Sequence, residues 1–229
     1  MRPVIKVIIP AFNEENSIGK VLDDLPKDLV QEIVVVNNAS TDKTALAAKN
    51  HGATVIHENR KGYGSACLKG INYIKAQQLK PNIVVFIDAD YSDHPEELPQ
   101  LINPIVKDGV DLVIGSRALG AREKGAMTPQ QIFGNWLAAR LVRLLYRTHF
   151  TDLGPFRAIK YEKLLEIEMK DKDFGWTVEM QLKAAKYHLK CAEIPVTYRR
   201  RVGVSKISGT VKGTIMAGYK IIWTIFKYL

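Results

Sequence analysis

The chain alternates short β-branched apolar runs with segments of helical periodicity, and this rhythm restricts its fold more than any other feature. Runs at 4–9, 33–37, 54–57, 83–88 and 111–115 read as strands, and segments at 14–25, 41–50, 64–77 and 95–107 read as helices. Such repetition builds a largely parallel sheet with helices on both faces, an α/β fold. Ligands of these sheets gather at the carboxyl ends of the strands. Asn13, Asn37, Asp88 and Gly115 are therefore expected around one crevice, although they lie far apart in the chain.

The second half departs from the rhythm. A Gly-containing charged loop at 119–128 leads into an amphipathic helix at 130–147, a turn at Asp152-Leu153-Gly154-Pro155, helices at 160–166 and 176–188, and a strand at 192–198. From Gly209 a last amphipathic helix mixes Trp223, Phe226 and Tyr228 with Ile221, Ile222 and Ile225. Lys212, Lys220 and Lys227 stand beside them, with stems long enough to reach lipid headgroups. There is no internal repeat, low-complexity tract or linker, so one catalytic domain over 1–208 is expected, followed by a candidate membrane-interfacial helix over 209–229.

Lys and Arg number 33 against 24 Asp and Glu, a net charge of +9, which favours nucleic acid, an anionic membrane surface or a phosphate-rich substrate as partner. The early basic residues are scattered, without interleaved aromatics, which argues against nucleic acid. The two cysteines, Cys67 and Cys191, are too few for a disulfide framework and lack metal-ligand spacing, as in a reducing compartment. The first apolar run is too short for a signal peptide, and none reaches the roughly 18 residues of a membrane span. A cytoplasmic protein, peripheral at the inner face of the membrane, is the expectation.

Four polar stretches carry the chemistry. Val84-Val85-Phe86-Ile87 runs into Asp88-Ala89-Asp90, two acids two residues apart and so on one side of an extended chain, followed by Tyr91-Ser92-Asp93-His94-Pro95. By itself Asp-x-Asp is either a metal site or a pair of solvated loop acids. Pro10-Ala11-Phe12-Asn13-Glu14-Glu15 closes the first strand and opens a helix. Asn37-Asn38-Ala39-Ser40-Thr41-Asp42 ends the second strand, with residues that equally cap a helix. Asn59-Arg60-Lys61-Gly62-Tyr63-Gly64 has paired glycines that let the backbone approach a ligand, without the spacing of a Walker or dinucleotide-binding loop.

Together these stretches resemble the nucleotide-sugar domain of family 2 glycosyltransferases, which have the GT-A fold. Gly115-Ser116-Arg117, Thr151-Asp152-Leu153-Gly154-Pro155-Phe156-Arg157 and Gly203-Val204-Ser205-Lys206 resemble later motifs of the dolichyl- and polyprenyl-phosphate mannose or glucose synthase-like branch. The resemblance spans nearly the whole chain. It implies a Rossmann-like, mostly parallel sheet flanked by helices, with C-terminal amphipathic helices. It also implies that Pro10, Asn13, Glu14, Asn37, Asn38 and Asp42 surround the nucleoside, that Lys61 and Gly62 lie near it and the diphosphate, and that Asp88 and Asp90 bind Mg²⁺ or Mn²⁺.

Three departures stand out. Asn37-Asn38 replaces a frequent Asp-Asp, Ser92 stands where many members have Gln or His, and Gln130-Gln131 opens the helix that often begins with a basic residue. The third metal ligand is thus open among Ser92, Asp93, His94 and water, with His94 the better fit to a loop contact.

The physical logic points the same way. A sugar nucleotide departs as a diphosphate, whose accumulating charge a hard cation held by carboxylates neutralises. Arg117, Arg157, Arg199, Arg200, Arg201 and Lys206 follow strands or turns of the same edge, and guanidinium groups bind phosphate through a planar fork of donors. The resemblance also implies inversion, so the expectation is an inverting, metal-dependent enzyme moving a sugar from a UDP- or GDP-sugar to a polyprenyl-phosphate lipid, with Asp90 and Arg117 as its catalytic residues. A phosphate acceptor arrives ionised and needs no base. A hydroxyl acceptor would require one, for which Asp152 and Glu179 are the candidates, although Glu179 equally fits a helix-face residue pairing with Lys183 at i+4. A non-catalytic basic membrane-binding module is the reading from another class.

Overall fold

A computed structural model describes residues 2–203 and 211–229 of the chain. Its strands are β1 (Ile5–Ala11), β2 (Glu32–Asn37), β3 (Thr54–His57), β4 (Ile83–Phe86), β5 (Leu112–Ser116), β6 (Arg157–Lys160) and β7 (Cys191–Pro195). The helices are α1 (Ile18–Asp24), α2 (Thr44–Asn50), α3 (Tyr63–Ala76), α4 (Leu98–Asp108), α5 (Pro129–Tyr146), α6 (Tyr161–Glu166), α7 (Trp176–Lys186) and α8 (Val211–Lys227), with a 3₁₀ turn at Pro95–Glu97.

The strands form one sheet in the order β3-β2-β1-β4-β6-β5-β7. All neighbours are parallel except β6, which is antiparallel to both β4 and β5. That strand is absent from the sequence reading. Arg157-Ala158-Ile159-Lys160 offers two apolar residues between two cations, and becomes a central strand only because its neighbours bury it.

Strand alternation splits the core into two layers. Ile8, Val34, Val84 and Leu112 point to the side covered by α3, α5 and α7, whereas Val7, Val35, Val85 and Val113 point to the side covered by α1 and α4. Chain order reverses at β1, with β2 on one side and β4 on the other. Open α/β sheets form a crevice at such a switch point, and here it lies between the loops after β1 and β4.

The C-terminal helix is not a detached appendage. It packs on α5 and α7, buries Thr224 and Ile225, and receives a hydrogen bond from Tyr146 Oη to the Ile225 carbonyl at 2.7 Å. Its other side exposes Tyr219, Trp223 and Phe226. No helix among the described residues is long and apolar enough to cross a membrane.

Candidate functional site

A cleft of about 320 Å³ opens at the switch point. Pro10, Ala11, Phe12 and Glu14 come from the end of β1, Asn38 from the end of β2, Lys61, Gly62 and Tyr63 from the start of α3, and Asp88, Ala89 and Asp90 from the end of β4. Asp173, Phe174 and Arg201 close it from the second half of the chain.

The loops are fixed to one another before any ligand arrives. Asn13 takes φ +55°, a left-handed conformation that asparagine tolerates. There its amide donates to Ser40 Oγ at 3.0 Å and its Oδ1 accepts from the Thr41 amide at 2.8 Å. Asp42 accepts from the Thr44 amide at 3.0 Å and the Glu15 amide at 3.2 Å. Burial opposes ionisation, but these bonds outweigh it and hold the carboxyl below its ordinary range. Asp42 thus opens α2 rather than lining the cleft.

Asn38 explains its own departure from Asp. Its Nδ2 donates to the carbonyls of Glu58 and Arg60, at 3.1 and 2.7 Å, while its Oδ1 accepts from the Gly62 amide at 2.8 Å. A carboxylate cannot donate, so only the amide clamps this loop. Asn37 is buried behind it, donating to His57 Nδ1 at 3.2 Å, with its Oδ1 unpaired. Gly62 has φ +144°, and a Cβ there would lie 2.2 Å from the Lys172 carbonyl oxygen. The glycine therefore lets the 170–174 loop close against the start of α3. Lys61 Nζ lies 5.1 Å from the centroid of the Phe12 ring.

The paired acids differ in environment. Burial first, and the neighbouring Asp90 second, push the Asp88 carboxyl up to about 7, and its Oδ1 is buried without a hydrogen bond. Asp90 Oδ1 accepts from the Ser92 amide at 3.0 Å and from Ser92 Oγ. Its Oδ2 sits 3.2 Å from Arg201 Nη1, while Arg201 Nη2 donates to Glu14 Oε1 at 2.7 Å. One guanidinium thus bridges carboxylates from two loops, occupying the cleft as a cation.

Of the third-ligand candidates, Ser92 is spent on Asp90, and His94 Nδ1 pairs with Glu96 Oε1 at 2.8 Å. Asp93 is buried with neither carboxyl oxygen hydrogen-bonded. Burial, then the charge of Asp88, holds it well above the ordinary range. Among the described residues no three His, Cys, Asp or Glu side chains are grouped to hold a metal ion by themselves. The carboxyl oxygens of Asp88 and Asp90, of which Asp88 Oδ1 is unpaired and buried, nevertheless fit a hard divalent cation that takes its remaining ligands from a diphosphate and water.

The expected arginine cluster is dispersed. Arg157 is fully buried, donates to the carbonyls of Leu153, Gly154 and Thr177, and is drawn down to about 10 by burial, so it supports the turn before β6 instead of meeting a substrate. Arg199 stacks on Tyr91, 3.4 Å from its centroid, and donates to the carbonyls of Tyr91 and Asp93. Arg200 donates to the Lys124 carbonyl and pins the 119–128 loop. Only Arg201 of the three lines the cleft. Lys206 lies outside the described residues.

Arg117 and Asp152 form a forked pair, Nε to Oδ2 at 2.8 Å and Nη2 to Oδ1 at 2.7 Å, with the guanidinium 5.0 Å above the Tyr198 ring. Burial opposes ionisation of Asp152, but Arg117 outweighs it and holds the carboxyl below its ordinary range. Glu179 is fully buried, pairs with Lys183 at 2.9 Å, and accepts from the amides of Lys170 and Asp171 and from Tyr228 Oη. Neither acid is placed as a general base. Glu179 instead shapes the loop that carries Asp173 and Phe174. Those two, with Tyr63, are cleft residues that sequence reasoning missed; the glycines at 62 and 64 signalled a close approach without revealing what approaches.

Residues 6–167 match the family model described as Glycosyl transferase family 2. An uncharacterised glycosyltransferase of Mycobacterium tuberculosis is 34% identical over 216 residues, covering 93% of this chain and 94% of the relative. A dolichyl-phosphate hexose transferase of Haloferax volcanii is 34% identical over 211 residues, covering 89% and 86%. An undecaprenyl-phosphate mannosyltransferase of Micrococcus luteus is 29% identical over 225 residues, covering 91% and 89%. Among solved structures, glucosyl-3-phosphoglycerate synthase from Mycobacterium tuberculosis, in complex with Mn²⁺, UDP and phosphoglyceric acid, superposes with a TM-score of 0.79 at 23% identity, over 99% of this chain and 78% of that one. Fold, strand-end cleft and family match converge: the chain belongs to glycosyl transferase family 2, is a glycosyltransferase, and is similar to the polyprenyl-phosphate sugar transferases of that family.

Proposed function

We propose that the enzyme transfers a sugar, with inversion, from a UDP- or GDP-sugar to a polyprenyl-phosphate acceptor at the inner membrane face. The observation that carries this reading is the Asp88–Asp90 pair in the cleft, with an unpaired buried oxygen and Asp88 raised to about 7. Such a pair suits Mg²⁺ or Mn²⁺, which when bound would neutralise charge on the departing diphosphate. The nucleoside lies against Pro10, Phe12 and the loop clamped by Asn38, with Lys61 and Arg201 directed at the phosphates.

A phosphate oxygen of the acceptor forms the new bond to the anomeric carbon as the bond from that carbon to the donor diphosphate breaks. The bonding pair leaves with the nucleoside diphosphate. An ionised phosphate has no proton to lose, and both candidate bases, Asp152 and Glu179, are consumed by ion pairs. This favours a phosphate over a hydroxyl acceptor. The relatives named for undecaprenyl- and dolichyl-phosphate support the same choice.

The test is a thermal-shift screen of UDP- and GDP-sugars with and without Mn²⁺, followed by transfer to polyprenyl phosphate. Asp90→Asn is expected to remove metal-dependent nucleotide stabilisation and turnover while leaving the melting temperature of the ligand-free protein within a few degrees. Wild-type-like transfer by Asp90→Asn would overturn the reading.

A further inference from the structure

The Asp88 carboxyl faces two ways. The residue lines the cleft, but its Oδ1 is turned inward and buried without a hydrogen bond. Its neighbours show which way it turns. Phe86 belongs to the core layer under α3 and α7 and Ile87 to the opposite layer, so the alternation carries Asp88 to the α3 side. Tyr63, the first residue of α3, stands there. It packs against that layer and lines the cleft, while its hydroxyl oxygen, like Asp88 Oδ1, is buried with no hydrogen-bond partner among the described residues.

The two groups act on one another. Burial, then the charge of Asp88, holds the Tyr63 phenol well above its ordinary range; at Asp88, where burial and Asp90 raise the carboxyl, Tyr63 opposes them. A buried donor without an acceptor beside a buried acceptor without a donor is costly for both. Other donors nearby are committed. Arg157, which interacts electrostatically with Tyr63, donates from all three nitrogens to the carbonyls of Leu153, Gly154 and Thr177. Arg201 bridges Glu14 and Asp90. Cys67, one turn further along α3 and fully buried, offers only a weak S–H donor.

We propose that Tyr63 is a positioning residue for the metal carboxylate: its hydroxyl donates to Asp88 Oδ1 from behind and fixes the orientation in which the carboxyl meets a divalent cation. The inference rests on the proposed Asp88–Asp90 metal pair. A hydrogen-bonding partner behind a metal ligand holds its orientation, and loss of that partner typically costs about 10- to 100-fold in metal affinity or activity. Such a partner must itself be rigid. Tyr63 is held on both sides, because the Gly62 amide before it donates to Asn38 Oδ1 at 2.8 Å and the Ser65 amide after it donates to the Lys172 carbonyl at 2.9 Å.

Titration of the full chain with Mn²⁺, followed by electron paramagnetic resonance in the absence and presence of UDP and GDP, tests the assignment. Tyr63→Phe removes only the hydroxyl. Mn²⁺ affinity is expected to fall about tenfold or more, while the metal-free protein melts at the wild-type temperature or above it, because the lost hydroxyl had no partner there. A hydroxyl with a merely structural role would give the opposite pair of results, a lower melting temperature and unchanged Mn²⁺ affinity. Cys67→Ala opens space on the same side without removing a hydroxyl, and is expected to lower the melting temperature and leave Mn²⁺ affinity within about twofold. Wild-type Mn²⁺ affinity in Tyr63→Phe overturns the proposal, as does an equal loss in Cys67→Ala, which would make packing the cause. Failure of the metal pair itself reads differently: wild-type protein that binds no Mn²⁺ under any of these conditions overturns the pair and the role of Tyr63 together. Mn²⁺ binding lost in Asp90→Asn but intact in Tyr63→Phe overturns the role of Tyr63 alone.

Discussion

At the scale of single residues, Arg201 has two opposed roles in the cleft. Its guanidinium bridges Glu14 and Asp90, so it neutralises the carboxylates that a divalent cation would meet, yet it also lines the cleft proposed to take the donor phosphates. Arg201→Gln is therefore expected to tighten Mn²⁺ binding to the nucleotide-free protein, by an amount on the order of tenfold, and to weaken nucleotide binding. Paramagnetic titration of Mn²⁺ with and without nucleotide reads both; two changes of the same sign would refute the bridge. Asn38 is a simpler case. In Asn38→Asp a carboxylate would face the carbonyls of Glu58 and Arg60, at a cost of about 1–3 kcal/mol, and would release the 58–62 loop. Denaturant melts and nucleotide titration should both register the loss, and an Asn38→Asp protein as stable as the wild type would contradict this clamp.

Among elements, the 170–175 loop is held from behind by α7 and α8. Glu179 on α7 accepts from two of its amides, Lys220 on α8 lies 3.1 Å from Asp171, and Tyr228 reaches Glu179. Glu179→Gln leaves the Lys183 ammonium buried without its counter-ion, which typically costs about 3–5 kcal/mol. Adding Lys183→Met should recover most of that stability. A residue acting as general base behaves otherwise: its loss would lower kcat and flatten the pH profile without moving the melting temperature. Thermal melts of the single and double variants, beside the pH dependence of kcat, discriminate the two.

For the whole molecule, the proposed membrane association rests on charge and exposed aromatics together. The chain carries +9, and α8 presents Trp223 and Phe226, each about half exposed at 50% and 52%, on the side turned away from Ile225. Anionic lipid attracts each surface Lys or Arg by about 1 kcal/mol, within a screening distance of about 10 Å at 0.1 M salt. Association with anionic vesicles is expected to fall steeply as salt rises. Trp223→Ser with Phe226→Ser should weaken it about tenfold further at unchanged melting temperature. Vesicle co-sedimentation checks both, and binding indifferent to salt and to the double substitution would remove the interfacial role of α8.

The sequence by itself determined the strand–helix alternation, and with it the parallel sheet and the strand-end position of Pro10, Asn38, Lys61, Gly62, Asp88 and Asp90, because side-chain periodicity and turn chemistry are local. It marked which residue types collect there and the family they resemble. Partnership was decided by tertiary structure. Arg157 and Arg201 are the same residue type near the same sheet edge, yet one is fully buried on three carbonyls and the other bridges two carboxylates. Asp152 reads as a free acid until the fold supplies Arg117, and Glu179, whose pairing with Lys183 one helical turn on is local, meets the Lys170 and Asp171 amides and Tyr228 only through tertiary packing. Likewise β6 exists because β4 and β5 bury it, and Asp173 and Phe174 reach the cleft because Gly62 leaves room for their loop. These outcomes depend on contacts between residues distant in the chain, whose energies of a few kcal/mol no local pattern encodes.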